Sequence, residues 1–551
     1  MNSASRRARL VRIAGVVALS IPLFLTASAA HATTHTNAVK QGGTVTLVTG
    51  PQTSFTRNFN PFNGNAVSTG DLGFIYEPLV YYNLLKAGKA SPWLATSWAF
   101  SNHNRTLTFQ LRKGVKWSNG KPFTSADVVF DAKYAMSNPV ADTAGMTPYV
   151  KSVKARGAYT VVFTFRQVNT TMLYYIGNQM RIVPKFQWKG KDPTKFTDPN
   201  PIGTGPFRLG AFSPQQYTFV RNPNYWKQGE PHINAIRFPL YTSNDSATAA
   251  IVSGQVDWSN VFIPNAQKTL VAKGHGNAFW YYPADHVVTL FMNLTEAPFN
   301  NVWVRRAMSE VINRDQVWKV GEYGYEPPSN AAFIQPQFRS VWGNTKAMGM
   351  VKPGGSLAAA KADMAKAGNV DLSKTFNIEV PTGWTDWDTS VQLIVNDLAK
   401  IGIKAKEDQV SFPNPYLSDQ QNGTFDMSFM WTNAGPSPYN IYHDAFWSKQ
   451  SAPIGKPAVS NYERYHNPTL DNLIRAYTKT ANVKQQIAIM RKMEALVANQ
   501  VPAIPVVTGA YWYTYNTSRF AGWPSQHDPY DLGAPAYFDQ NLNVALHLHL
   551  K

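Results

Sequence analysis

Cysteine is absent from all 551 residues. That excludes a disulfide framework, a thiol nucleophile and thiolate metal sites. A chain of this length buries a core that needs no covalent staples. Charge is scarce as well, at 15 % of residues against roughly 25 % in an ordinary soluble protein. Acids are the scarcer sign: 33 Asp and Glu face 52 Lys and Arg, for a formal net charge of +19. Beyond four arginines near the N-terminus the basic residues are scattered, which argues against nucleic-acid binding. The basic balance fits contact with anionic lipid heads or wall polymers, or an acidic medium in which surface carboxylates lose their charge. Composition does not choose between these. Long apolar runs are missing too, since Ile13 to Leu25 falls short of the roughly 20 residues a spanning helix needs.

Signatures of catalysis are likewise missing. There is no G-x-S-x-G and no H-E-x-x-H. Gly114 to Lys121 resembles a phosphate loop only superficially, because its glycines stand one residue too far apart and Pro122 follows where Ser or Thr is required. His547 and His549 would share one strand face, where a solvated C-terminal strand is the expected reading over a metal site. The other histidines are dispersed, so no metal or other cofactor is expected. Asp426 reads as a turn or capping residue. A secreted hydrolase remains the alternative class, because carboxylate pairs for glycan cleavage are not recognisable in sequence alone.

What is present begins at the N-terminus. Arg6, Arg7, Arg9 and Arg12 precede the apolar stretch, and Ala30-His31-Ala32 follows it. This is the three-part pattern of a secretory signal peptide over 1–32, with Thr33 as the expected mature start. The expected product is soluble, periplasmic or extracellular, and has no Cys for a lipid anchor.

Strand-like and helix-like patterns then alternate. Gly43 to Val48, Leu107 to Leu111 and Thr160 to Phe165 alternate as strands. Val304, Ala307, Met308, Val311 and Ile312 form one helical stripe opened by Asn301. Val391, Ile394, Val395 and Leu398 form a second, ended near Gly402. Ile489, Met490, Met493, Leu496 and Val497 form a third, before the extended run Val501 to Val507. The class expected is mixed α/β in at least two lobes.

The most informative stretch is Leu111 to Phe130. Asn119-Gly120 is a turn dipeptide, and Thr124 precedes Asp127 at capping-box spacing before Val128, Val129 and Phe130. The stretch resembles the signature of the family 5 extracellular solute-binding proteins, the oligopeptide, dipeptide and nickel class of ABC importers. Further resemblance follows in order: Pro201 to Phe207, Arg221 to Trp226, Gly254 to Asp257, Phe291 to Leu294 with Pro298-Phe299 and Val304-Arg305, Asn422 to Asp426, and Tyr465 to Pro468 with Leu470-Asp471. The resemblance implies a type II periplasmic-binding-protein-like clamp with a subdomain inserted in lobe one. The boundaries expected are lobe one over 33–78, 199–289 and 509–551, the insertion over 79–198, and lobe two over 290–508. It also implies a monomeric carrier, not an enzyme, that closes on cargo and docks on a membrane permease pair.

In the family's peptide-binding branch, an Asp three residues after a Trp holds the ligand's amino terminus. Here Ala434 stands three residues after Trp431. A zwitterionic peptide would lose that charge-assisted bond, and Gly435 to Pro438 resembles members that take cello- or manno-oligosaccharides. An oligosaccharide is therefore expected ahead of a short oligopeptide. Aromatic planes suit the apolar faces of sugar rings, and amides suit their hydroxyls. The candidates for cargo contact are Trp384, Trp387, Trp431, Asn433 and Tyr439, with Asn60 and Phe62 from a loop that the resemblance places at the ligand and Asn293 from the segment that resembles the crossing into the second lobe.

Overall fold

Thr44–Val48, the first apolar run, lies inside a seven-stranded sheet and is buried along almost its whole length. It is parallel to both neighbours, Ala235–Pro239 and Trp258–Ser259. Parallel strands covered on both faces read as continuous apolar runs, and this one does. The computed structural model describes residues 39–62, 67, 71–86, 88–433 and 435–551. The expected signal segment and Ala434 lie outside them.

A second sheet has five strands: Lys404–Val410, Thr375–Pro381, Met427–Trp431, Tyr282–Met292 and Ile504–Tyr511. Two adjacent stretches of chain join it to the first sheet. Asn277–Phe279 leads into Tyr282–Met292, and Ile504–Tyr511 leads back into Thr514–Asn516. The two long strands pair antiparallel, with a register break between Pro283 and Val287. A third, four-stranded antiparallel sheet runs Ala95–Ser101, Thr106–Leu111, Thr160–Phe165, Val150–Ala155. Lys40–Lys551 forms one compact unit.

Local signals act as the patterns predict. Thr124 caps Ser125–Ser137 as half of a capping box, with its own N–H donating to Asp127 Oδ2 at 3.0 Å. Asn301 caps Val302–Val311, and Ile312 already turns extended. Asp426 is structural, since it pairs with Lys374 Nζ at 2.7 Å and accepts from Asn377 N at 3.0 Å. In Pro201 to Phe207 the glycines answer to backbone contact. A Cβ on Gly203 would lie 1.9 Å from Ile75 O, so no larger residue fits.

One expectation is corrected. His547 and His549 do not share a strand face, because Gln540–His547 is a helix and only His549–Leu550 is strand. Tyr530 stacks on His547, and His549 turns its Nδ1 to the His547 carbonyl.

Candidate functional site

A cavity of about 390 Å³ lies between the two large sheets. One side comes from the loops after Thr44–Val48 and Trp258–Ser259: Gly50, Gln52, Asn260 and Phe262. The other comes from Trp384, Trp387, Phe412 and Trp431.

These four rings form one aromatic wall. Trp384 sits at the N-cap of Thr385–Ala399, Trp387 lies in that helix's first turn, and Trp431 ends the strand Met427–Trp431. Gly383 seats the first ring. Its φ is +84°, and a Cβ there would lie 2.6 Å from Thr242 O. Trp384 and Trp431 lie nearly parallel, with centroids 6.0 Å apart and planes at 13°. A ring slotted between them would need about 7–8 Å, two contacts of ~3.5–4.0 Å. They therefore act as one surface. Trp387 braces them from beneath and is only 5 % exposed.

Polar groups interrupt the wall. Asp386 is buried and accepts from Asn244 Nδ2 at 3.0 Å, and burial raises its pKa to about 6. Glu326 accepts from Ala510 N at 2.6 Å, and burial pushes it well above the usual carboxylate range. His286 stands at the register break, where a Cβ on Gly509 would lie 2.2 Å from its Nε2. Burial lowers its pKa to about 4, which leaves the imidazole neutral. No Lys or Arg appears among the described lining residues.

A neighbouring cavity of about 580 Å³ shares Gln179, Leu417, Trp431 and Asn433 with the first. Phe62, Tyr174 and Tyr175 line its other side.

Five of the eight predicted residues thus meet cavity walls: Trp384 and Trp387 the first, Phe62 the second, Trp431 and Asn433 both. The other three serve the fold. Asn60 is buried and donates to Pro193 O and Phe196 O at 2.8 and 2.7 Å, while accepting from Phe62 N. Asn293 donates to Gly423 O and accepts from Thr295 in a local turn. Tyr439 is 1 % exposed and stacked on Tyr477 at 4.2 Å. Asparagine closing its own loop is the competing role that removes Asn60 and Asn293 from the cavity. The sequence reading missed Glu326, Asp386, His286 and Phe412. Only Asp386, set between two tryptophans, carried a local signal.

Among the described residues no helix is long and apolar enough to cross a membrane. No group of three or more His, Cys, Asp or Glu among them could hold a metal ion.

Two large sheets joined by paired crossing strands, with a cavity between them, define a type II periplasmic-binding-protein clamp. The mannohexaose-bound periplasmic oligopeptide-binding protein of Thermotoga maritima is similar in fold, with TM-score 0.84 and 24 % identity over 92 % of this chain and 98 % of that one. The model of the bacterial extracellular solute-binding proteins, family 5 middle region, matches residues 89–453, and the chain belongs to that family. It is similar to the nickel-binding periplasmic protein of Escherichia coli K12, 25 % identical over 82 % of this chain and 88 % of that one. It is also similar to the peptide transport periplasmic protein SapA of Salmonella typhimurium, 23 % identical over 89 % of this chain and 91 % of that one. Members of this family are substrate-binding proteins of ABC importers, carriers and not enzymes.

Proposed function

We propose that this protein captures a neutral oligosaccharide outside the cytoplasmic membrane and delivers it to an ABC permease pair as a soluble monomer after removal of residues 1–32. Trp384, Trp387, Trp431 and Asn433 are its cargo contacts, with Phe62 serving a cargo that extends into the second cavity. Lobe one over 33–78, 199–289 and 509–551, carrying the insertion 79–198, closes on lobe two over 290–508 about the paired crossings.

One observation carries the reading. The cavity combines a continuous tryptophan surface with amide side chains, and the described lining holds no cation. Sugar rings present apolar C–H faces to such a surface, and burial of those faces is the favourable term. A free peptide brings a carboxylate that finds no cationic partner along the lining. The mannohexaose named for the Thermotoga protein agrees with this, whereas the SapA name favours a short oligopeptide.

A thermal-shift screen decides. Mannohexaose and cellopentaose should raise the melting temperature in a concentration-dependent way, because ligand bound only to the native state stabilises it by mass action. Di- to pentapeptides should not. Peptide shifts without glycan shifts would transfer the protein to peptide cargo, and breakdown of either probe would favour the hydrolase alternative.

A further inference from the structure

Three shielded polar atoms on residues of the first cavity have no partner in the protein: Glu326 Oε2, Asn260 Oδ1 and Trp384 Nε1. We propose that Glu326 is a specificity-determining cargo contact that acts as a neutral carboxylic acid, donating from Oε2 to a cargo hydroxyl while Asn260 and Trp384 serve neighbouring hydroxyls. This rests on the oligosaccharide reading above.

The surroundings of Glu326 fix its form. The residue is 2 % exposed. Glu322 lies four residues earlier, with Oε1 accepting from Ser390 Oγ at 2.7 Å and Oε2 unpartnered. Asp386 completes an acidic cluster on the helix Thr385–Ala399. Tyr537 and the neutral His286 line the same cavity, and no described Lys or Arg does. Burial and the mutual repulsion of the carboxyls disfavour ionisation, and the Ala510 N–H bond to Glu326 opposes this only in part. Burial, then the charges of Glu322 and Asp386, raise Glu326.

A neutral carboxyl has one accepting oxygen and one hydroxyl. Ala510 N–H donates to Oε1, which makes that oxygen the acceptor. The proton therefore sits on Oε2, the atom without a partner. Trp384 Nε1 only donates and Asn260 Oδ1 only accepts. Adjacent sugar hydroxyls, each donor and acceptor at once, match all three. A cargo ammonium would instead require Glu326 as carboxylate.

Calorimetry with mannohexaose on the wild type, E326Q and E326A tests this, with circular dichroism as the check on folding. Gln retains an acceptor for Ala510 N and a donor at the second position. E326Q should stay within about three-fold of wild type and E326A should lose about ten-fold or more. Equal losses in E326Q and E326A would overturn the neutral-acid role. An infrared difference spectrum between ligand-free wild type and E326Q supplies a readout independent of the cargo. A protonated-carboxyl band at neutral pH supports the proposal and a carboxylate band refutes it. Failure of mannohexaose to bind the wild type would instead count against the oligosaccharide reading.

Discussion

Trp93 and Trp226 meet at a buried carboxyl, whereas Trp384 and Trp431 meet at a cavity. In the first cluster Glu77 accepts from Trp93 Nε1 at 2.7 Å, Tyr225 OH at 3.0 Å and Trp226 Nε1 at 3.1 Å. Lys227 Nζ lies 4.1 Å from the Trp93 ring centre and the Arg112 guanidinium 4.1 Å from that of Trp226. The polar edges of both indoles and both cations are engaged within the protein. In the second cluster the ring centres lie about as close, yet Trp384 Nε1 and Glu326 Oε2 are unpartnered. Aromatic content alone does not separate a structural cluster from a binding one. Hydrogen-bond satisfaction distinguishes these two clusters, but core groups such as Trp117 Nε1, Trp188 Nε1 and Tyr439 OH are unpartnered as well, so an unpartnered atom bears on binding only where its residue also lines a cavity.

The largest expected effect concerns the neutral carboxyls as a set. Burial raises Asp71 to about 8, Glu77 to about 7, Glu379 to about 8 and Asp531 to about 7. Asp71 and Asp531 accept from Tyr217 and Tyr81, with no ion pair at either. Every tenfold difference in proton affinity between the folded and unfolded chain is worth about 1.4 kcal/mol. A carboxyl with a raised folded-state pKa holds its proton longer in the native state. Its contribution is fully present below the unfolded pKa, near pH 4, and is lost as pH rises through the folded value. His286 works the other way, since its contribution is lost as pH falls from about 6.5 to about 4, but it is one group against several. The melting temperature should therefore fall steadily from about pH 5 to about pH 8. A rise over that window would contradict the neutral-carboxyl account. This also bears on the basic composition, since a fold rich in uncharged buried acids suits an acidic medium.

Single substitutions sharpen the contrast. Trp93→Ala removes a 5 % exposed ring and leaves Glu77 short of a donor. It should cost about 3–5 kcal/mol in urea unfolding and leave cargo affinity nearly unchanged. Equal damage to affinity would erase the distinction between the clusters. Smaller effects follow from Phe substitutions, which keep the ring and delete the indole N–H. Trp226→Phe should cost about 1–3 kcal/mol of stability because Glu77 loses a bond. Trp384→Phe removes an N–H with no protein partner and should leave stability within about 0.5 kcal/mol while weakening cargo binding. The reverse pattern of losses would show that the Trp384 cluster is structural.

Much of the fold was legible because local chemistry and tertiary structure agree. Asn301 caps the helix that its apolar stripe predicts, and Thr124 with Asp127 forms the expected capping box. The cavity wall was legible where a residue's chemistry is unusual for its setting, as with tryptophans in a Gly-containing loop and at a strand end. It was not legible where function depends on meetings across distant segments. Glu326 lies in an irregular stretch with no periodicity, and Ala510, which orients it, is 184 residues away. Asn60 and Asn293 line neither cavity because loop asparagines most often bond their own backbone, as these do. Tyr439 lines neither cavity either, because its place in the family-like segment says nothing of the face it shows. It points into the core against Tyr477.

The most direct test is a calorimetric titration of mannohexaose into the wild type and Trp431→Ala side by side, with unfolding measured on both. Trp431 is half-buried at the junction of the two cavities, so its loss removes an aromatic surface from both while Trp387 still braces the wall. The expected result is saturable binding by the wild type and a loss of roughly 1–3 kcal/mol of binding in the variant, about five- to over a hundred-fold, with the native fold retained. Unchanged affinity together with a sharp drop in melting temperature would place Trp431 in the core and contradict the stacking wall.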